Sequence, residues 1–240
     1  MNNLVLVLKA YKSDVEIHRH SAYQIVFTTD NPFLTVCDNK KCENIFGFVI
    51  KPQVEHSCTC SNSNLIIMNI ETYSFMGEKL AEKLGDKHAE LFRNRDEFMD
   101  FFMLSGNEIR IQDIVKSIQL NDDLQRVDSR ILNAIELINS GYQSNRLTLE
   151  YIAKTVCLSP SRLIFLFKQQ TGSSIMKLLV WIRVRNAIAR ILTQKDELFT
   201  SIAYECGFYD SAQMNKYMYQ LFGISPSKLR KKSDLIQFLQ

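Results

Sequence analysis

One plan of residues occurs twice in the C-terminal half of the chain, and a duplicated supersecondary unit usually decides the architecture. The stretches "IAKTVCLSPSRLIFLFKQQTG" and "IAYECGFYDSAQMNKYMYQLFG" begin at Ile152 and Ile202, an offset of 50. They end at Gly172 and Gly223, an offset of 51. The single extra residue falls in the middle of the second copy, at a turn, where insertions cost least. The repeat predicts one structural unit used twice.

Each copy carries the signals of a short helix, a tight turn and a second helix. Ser159 is a good N-cap and is followed by Pro160, a residue favoured at the first helical position. In the second copy either Asp210 or Ser211 can cap the equivalent helix, and a glycine ends both helices. This order of elements is that of a helix-turn-helix motif.

The segment between the copies, "SIMKLLVWIRVRNAIARILTQ" (174–194), is one uninterrupted helical pattern. A helix of roughly twenty residues spans about 30 Å. Successive major-groove faces of B-DNA lie about 34 Å apart, so a rigid connector of this length can hold two recognition helices against one side of a duplex. A further helix, opened by Asp128 and closed near Gly141, precedes the first copy.

Charge is distributed unevenly along the 240 residues, although the formal net charge is only +3. Residues 145–232 hold fourteen Lys and Arg against five Asp and Glu, whereas residues 1–144 hold fifteen against twenty. A basic C-terminal half is the electrostatic signature of a domain that binds a polyanion. A solvated basic face without a ligand gives the same count, so charge alone leaves both interpretations open.

The first seventy residues alternate β-forming runs with turn residues, which predicts a small antiparallel sheet or barrel. Residues 74–84, 95–104 and 107–119 show helical spacing. The expected strands are "LVLVLK" (4–9), "YQIVFTT" (23–29), "FLTVCD" (33–38), "NIFGFVIK" (44–51) and "NLIIMNI" (64–70). The expected interior of the sheet consists of Ile25, Phe27, Phe46, Phe48 and Ile67.

These patterns predict an α+β chain of two domains. We expect a regulatory or dimerisation domain over 1–120, a linker over 121–127, an all-α domain over 128–232 and a tail over 233–240. At 240 residues the chain is long enough for each domain to bury a core of its own.

The C-terminal domain resembles the DNA-binding domain of AraC/XylS-type transcription regulators over about a hundred residues. The matching features are Ala153, "LSPSRL", "FK" at 167–168, Gly172, Arg183, Ala187, "IAYECGF" (202–208), "FG" at 222–223 and "SPSKLR" (225–230). The resemblance implies a seven-helix domain with two helix-turn-helix motifs, each placing a recognition helix in a major groove of promoter DNA.

Carried over residue by residue, the resemblance assigns DNA contacts to both recognition helices. These contacts are Ser161, Arg162, Ile164, Phe165 and Lys168 in the first helix, and Ser211, Ala212, Gln213 and Lys216 in the second. Phe165 and Lys216 stand where family members commonly have Arg. Phe165 and Ile164 can touch thymine methyl groups but cannot read guanine by hydrogen bonds. Contact with another protein surface is the equal alternative for these two residues.

The N-terminal half resembles, more distantly, the cupin-like regulatory domains of the same family, through "HRHSAYQ" (18–24) and "KPQVEH" (51–56). Its His-x-His pattern points two rings to one face of a strand. Short motifs of this kind arise by chance, so we expect ordinary strand histidines, no bound metal and no cofactor. The alternative is a cupin-type metalloenzyme that uses His18, His20, Gln24 and His56.

The leading hypothesis is a sequence-specific DNA-binding transcription regulator that acts as an activator and recruits RNA polymerase at a promoter. Its first domain would sense a small molecule or partner protein, or form a homodimer, and the expected dimer contacts are Phe98, Phe101, Phe102 and Met103. A module that binds protein through its tandem helices is a third possibility, which the basic excess disfavours.

Other classes of protein find no support in the sequence. There is no glycine-rich phosphate loop and no Ser/His/Asp or Cys/His arrangement of catalytic spacing, so we do not expect an enzyme. The six cysteines are scattered and lack paired zinc-finger spacing, which favours free thiols. Without a long apolar span or a secretory leader, we expect no membrane insertion and a cytoplasmic location.

Overall fold

The computed structural model describes residues 5–11, 14–72, 74–106, 108–119, 128–144, 146–233 and 236–239. The chain divides into two compact units. The N-terminal unit comprises Met1–Leu124 and Asp234–Gln240, and the C-terminal unit comprises Gln125–Ser233. The expected linker over 121–127 lies outside the described residues. The α+β class expected from the sequence is confirmed, with sheets in the first unit and, among the described residues of the second unit, only helices.

Two antiparallel sheets form the N-terminal unit. The strands are β1 (Val5–Tyr11), β2 (Asp14–His18), β3 (Tyr23–Thr28), β4 (Phe33–Cys37), β5 (Lys40–Ile45), β6 (Gly47–Ile50), β7 (His56–Thr59), β8 (Asn64–Ile70), β9 (Ala89–Phe92) and β10 (Ile236–Leu239). One sheet has the strand order β10-β1-β8-β3-β6-β9, and the other has the order β2-β7-β4-β5.

The six-stranded sheet is buried on both faces, which its sequence shows by runs of apolar residues rather than strict alternation. In β3 all six positions are buried. Ile25 and Phe27 belong to a core shared with the helices, whereas Val26, between them, belongs to a core shared with the four-stranded sheet. Successive side chains of a strand point to opposite faces. The unit is therefore layered as helices, sheet and second sheet, and the two sheets do not close into the barrel considered above.

Three helices cover the outer face of the six-stranded sheet: α1 (Phe75–Leu84), α2 (Arg95–Phe102) and α3 (Ile111–Gln119). Ser74 caps α1 by accepting a hydrogen bond from the N–H of Gly77, and Gly85 ends the helix, as the sequence predicts. The predicted interior is also confirmed for Ile25, Phe27 and Phe48, which are at most 1% exposed.

The expected dimer surface on α2 is wrong for two of its four residues. Phe98 and Phe102 are fully buried, and they pack against Phe27, Phe92 and each other in the core beneath the helices. The outer face of a six-stranded sheet offers enough area to cover these aromatic rings. Phe101 is half-buried against the same core, and Met103, at the left-handed end of α2, is 81% exposed.

The expected tail over 233–240 contains a strand instead. β10 pairs antiparallel with β1, with Val7 opposite Leu239 and Ala10 opposite Ile236. This pairing places the end of the described chain in the sheet of the N-terminal unit. Backbone hydrogen bonds to an edge strand define it, and a run of four residues carries too little periodicity to reveal such a partner.

The C-terminal unit consists, over its described residues, of seven helices, as the resemblance implies. These are α4 (Ser129–Gly141), α5 (Leu149–Thr155), α6 (Pro160–Thr171), α7 (Ile175–Thr193), α8 (Phe199–Glu205), α9 (Ser211–Phe222) and α10 (Pro226–Lys231). The repeat is confirmed, since α5 and α6 match α8 and α9 in length and order. Ser159 caps α6, and Asp210 rather than Ser211 caps α9.

The turn inside each motif needs a left-handed backbone, which Cys157 supplies in the first copy and Gly207 in the second, with φ of 55° and 83°. At Gly207 there is also no room for a side chain. An added Cβ would lie 2.5 Å from the carbonyl oxygen of Tyr142 and 2.8 Å from Nε of Arg183, which donates a 2.7 Å hydrogen bond to that carbonyl. The glycine thus lets the second motif approach the end of α4 closely.

We predict that Gly207→Ala destabilises the protein more than Gly172→Ala does. Both glycines have positive φ, so both substitutions carry the left-handed strain of about 1–2 kcal/mol. Only at position 207 does the new methyl group also collide with backbone, since nothing lies within 4 Å of the Cβ site at Gly172. Thermal unfolding of the two variants measures the difference, and an equal or smaller loss of Tm in Gly207→Ala would contradict this packing.

Candidate nucleic-acid interface

Helix α6 presents a continuous exposed face made of the residues that the resemblance assigns to DNA contact. Ser161, Arg162, Ile164, Phe165 and Lys168 are all exposed. The opposite face packs into the unit through Leu163, Leu166 and Phe167. The helical period therefore separates the packing residues from the candidate contact residues.

Two large apolar side chains lie on that exposed face. Ile164 is 49% and Phe165 is 56% exposed, and the guanidinium carbon of Arg162 lies 5.5 Å from the centre of the Phe165 ring. A cation above an aromatic ring is an attractive arrangement, which favours a defined position for both side chains. The surface of α6 is thus mixed apolar and cationic, which suits contact with thymine methyl groups beside phosphates.

Helix α9 begins with a reciprocal pair of hydrogen bonds that involves Gln213. The N–H of Gln213 donates to the carboxylate of Asp210 at 2.7 Å, while its side-chain oxygen accepts from the N–H of Tyr209 at 2.9 Å. Gln213 is half-buried, as is Ser211, whereas Ala212 and Lys216 are exposed. The structure therefore gives Gln213 a role in holding the start of the helix, a role that the sequence prediction of a base contact did not include.

Asn215 and Tyr219, which the sequence analysis did not single out, lie on the same exposed face of α9. The offset of 51 between the two copies places Asn215 at the position of Ile164 and Tyr219 at that of Lys168. Applying this offset residue by residue would have found both. A carboxamide can bond adenine through two hydrogen bonds, so Asn215 offers a group of a different chemistry from Ile164 at the equivalent position of α6.

The two motifs are held by α7, ten of whose nineteen residues are buried. Trp181 of α7 stacks on Phe222 at the end of α9, with ring centroids 5.1 Å apart and planes 15° apart. At the other end of α7, Arg190 pairs with Glu197 at 2.7 Å and with Glu205 of α8 at 2.5 Å. These contacts join α7 to both helices of the second copy, and α6 of the first copy also packs against α7.

Three histidines of the N-terminal unit come together in a buried cluster. His18 ends β2, His20 follows it and His56 begins β7, and all three are at most 7% exposed. The ring centroids of His18 and His56 are 4.2 Å apart, and those of His20 and His56 are 4.9 Å apart. We call these three residues the histidine cluster. The structure brings together the three histidines of the motif, and it does not test the expectation that they are ordinary strand residues without a metal.

Burial keeps the rings of the histidine cluster neutral at physiological pH. Loss of hydration lowers the pKa of His18 to about 4 and that of His20 to about 3, and it lowers the pKa of His56 well below its ordinary value. Gln24, the fourth residue of the metalloenzyme alternative, is buried on β3. Its side-chain amide donates a 2.9 Å hydrogen bond to the side-chain oxygen of Asn69 on the neighbouring strand β8.

Comparisons of sequence with known proteins concern the C-terminal half of the chain, whereas a comparison of structures covers both halves. Residues 152–232 match the family model described as a helix-turn-helix domain. The chain is 33% identical over 104 residues to the lactose operon transcription activator of Staphylococcus xylosus, covering 43% of this chain and 37% of that protein. It is 31% identical, with the same coverage, to the arabinose operon regulatory protein of Salmonella typhimurium.

The chain therefore spans little more than a third of the length of these curated relatives. Among solved structures, ToxT from Vibrio cholerae covers 95% of this chain and 97% of its own, with a TM-score of 0.58 and 15% sequence identity. At that identity the likeness concerns the fold alone, and it extends over both units.

The geometry of the C-terminal unit defines a tandem helix-turn-helix domain in which two equivalent helices present exposed faces. The family match over residues 152–232 agrees with this geometry and identifies the segment as a helix-turn-helix domain, and the segment is similar in sequence to operon regulators. In the part of the chain that the structure describes, none of the helices combines the length and the apolar character needed to cross a membrane.

We predict that Gln213→Ala lowers the free energy of unfolding by about 1 kcal/mol, the usual cost of losing a helix cap, whereas Gln213→Glu does not. Glutamate retains an oxygen for the N–H of Tyr209 and adds a favourable charge at a helix N-terminus. Chemical denaturation of both variants measures this. Equal stability of Gln213→Ala and the unaltered protein would show that this hydrogen bond does not stabilise the helix.

Proposed function

We propose that the protein is a sequence-specific DNA-binding transcription regulator that inserts α6 and α9 into successive major-groove segments. The observation that carries the proposal is the equivalence of the two helices. Each follows the same short helix and turn, and positions 164, 165 and 168 of α6 are exposed, as are their counterparts 215, 216 and 219 of α9. Packing of the unit alone does not require large or charged side chains on these two exposed faces.

The connecting helix has the length that two groove contacts require. Nineteen helical residues of α7 span about 28 Å, somewhat less than the 34 Å repeat of B-DNA. The N-terminal ends of recognition helices contact base edges, and such ends can extend beyond the connector. Its fixed packing against both motifs would set the spacing of the two half-sites.

The two motifs carry different chemistry, so the two half-sites should differ. On α6 the exposed apolar pair Ile164 and Phe165 suits thymine methyl groups, with Arg162 available for phosphate or guanine. On α9, Asn215 and Lys216 offer hydrogen bonds to adenine or guanine. The operator would therefore be an asymmetric sequence with an A·T-rich first half.

The N-terminal unit would supply the regulatory input through an effector, a partner protein or a second copy of the chain. Of the four residues expected to form a dimer contact, only Met103 is strongly exposed, so self-association would use the end of α2 rather than its aromatic face. Activation by recruitment of RNA polymerase accords with the names of the relatives, two of which are regulators of sugar operons, one of them termed an activator.

The metalloenzyme alternative does not account for the same observations. The three histidines are closed to substrate, since they are between 1% and 7% exposed. It also leaves the basic tandem motif without a role.

We predict that the affinity of the full chain for an operator selected from random duplexes falls steeply with salt. Each phosphate neutralised by Lys or Arg contributes a slope of about −0.9 in a plot of log affinity against log salt. The C-terminal unit offers an excess of nine positive charges over residues 145–232 for such contacts. Fluorescence anisotropy at several salt concentrations measures the slope, and binding insensitive to salt would contradict the proposal.

We predict that Asn215→Ala and Lys216→Ala each weaken operator binding by roughly 1–3 kcal/mol if the residue reads a base. Gln220→Ala is the matched control, since Gln220 is also exposed on α9 but lies at its C-terminal end, away from the bases. Asn215→Ala should in addition relax selectivity at one position of the second half-site. Unaltered affinity in both variants, or an equal loss in Gln220→Ala, would show that α9 does not enter the groove in this orientation.

A further inference from the structure

The histidine cluster joins separate parts of one sheet. His18 and His56 are register partners across the β2–β7 pair, and His20 follows β2 after one residue. One ring nitrogen of each residue can be chosen so that all three lie within 4.8 Å of one another. Three imidazoles with such proximity, at the interior of a unit, form a set of potential ligands for one ion.

The hydrogen bonds of the rings determine which nitrogen is available. Nδ1 of His18, His20 and His56 lies 2.8, 3.0 and 2.9 Å from the backbone carbonyl oxygens of residues 16, 22 and 54, respectively. A carbonyl only accepts, so each Nδ1 carries the proton and each neutral ring keeps its lone pair on Nε2.

This arrangement is the one that metal-binding histidines use. A ligating imidazole almost always donates its other N–H to a carbonyl or carboxylate, which fixes the tautomer and the direction of the lone pair. Here all three rings have that support from the backbone itself. Nε2 of His56 is fully buried and has no hydrogen-bond partner among the described residues, which is unfavourable in the absence of a ligand.

We propose that the N-terminal unit binds one divalent late first-row transition-metal ion, with Zn²⁺ as the principal candidate, through Nε2 of His18, His20 and His56. The donor set decides the class of ion. Imidazole suits zinc, copper, nickel and iron, whereas magnesium and calcium require oxygen ligands, and no carboxylate belongs to the cluster.

The distances fit this ion after a small closure of the rings. Tetrahedral ligands at about 2.0–2.1 Å from zinc lie about 3.3 Å apart. In this structure one ring nitrogen of each histidine lies within 4.8 Å of the others, so binding would require the rings to move closer together by rotation of their side chains. Three protein ligands leave the fourth position to water or a small anion.

Bound metal would fasten the edge strand β2 to β7 and to the segment after β2. Since the ligands come together only in the folded unit, metal binding would stabilise that unit in proportion to the free ion concentration. This site lies outside the tandem helix-turn-helix motif, and its existence does not depend on the proposed binding of DNA.

The test uses the full chain, stripped with chelator and then loaded with Zn²⁺ or Co²⁺. We expect one equivalent of metal retained after gel filtration, a higher Tm for the loaded protein, and a visible cobalt spectrum of tetrahedral intensity without a thiolate charge-transfer band. His18→Gln, His20→Gln and His56→Gln should each lower affinity by more than the roughly 10–100-fold that loss of a supporting partner costs.

His88→Gln is the matched control, because His88 is the fourth histidine of the chain and lies exposed, outside the cluster. It should retain metal fully. Failure of the unaltered chain to retain metal, a thiolate band in the cobalt spectrum, or an equal loss in His88→Gln would overturn the proposal. The cobalt spectrum of the unaltered chain decides the matter even where a cluster variant does not fold.

Discussion

The burial of α7 is the constraint on which the C-terminal unit depends. This helix contributes ten buried side chains, and both motifs pack against it rather than against each other alone. Trp181, two turns into the helix, stacks on Phe222, and Arg190, in the last turn, forms ion pairs with Glu197 and Glu205. A helix enclosed in this way cannot bend easily, so the distance between the recognition helices becomes a property of the core rather than of a linker.

The sequence predicts the C-terminal unit better than the N-terminal unit. The reason is the separation along the chain between the residues that interact, which is short in the former and long in the latter. In the C-terminal unit, the caps at Ser159 and Asp210 and the left-handed glycines are local signals, and each appears where the sequence places it. In the N-terminal unit, the outcome depends on which strands pair across long separations. Sequence patterns predict the strands, but they do not show that the strands form two separate sheets. They also do not show that Phe98 and Phe102 pack against the face of one of these sheets.

The candidate sites follow the same division. Most proposed DNA contacts on α6 and α9 are exposed as predicted, because helical periodicity places them; Ser211 and Gln213 are half-buried, and Gln213 participates in the helix start. The sequence does not reveal the histidine cluster, because 35 residues separate His20 from His56. Only the pairing of β2 with β7 brings the rings together, and only the carbonyl partners show which nitrogen faces inward.

The pairing of β1 with β10 has a consequence for how the chain folds during synthesis. More than two hundred residues separate β1 from β10, so this edge of the six-stranded sheet stays open until those residues have been added. Such a distant contact carries a loop-closure cost and forms late. The whole helical unit is synthesised within that interval, and the nascent chain must protect an unpaired β edge from other strands until β10 emerges.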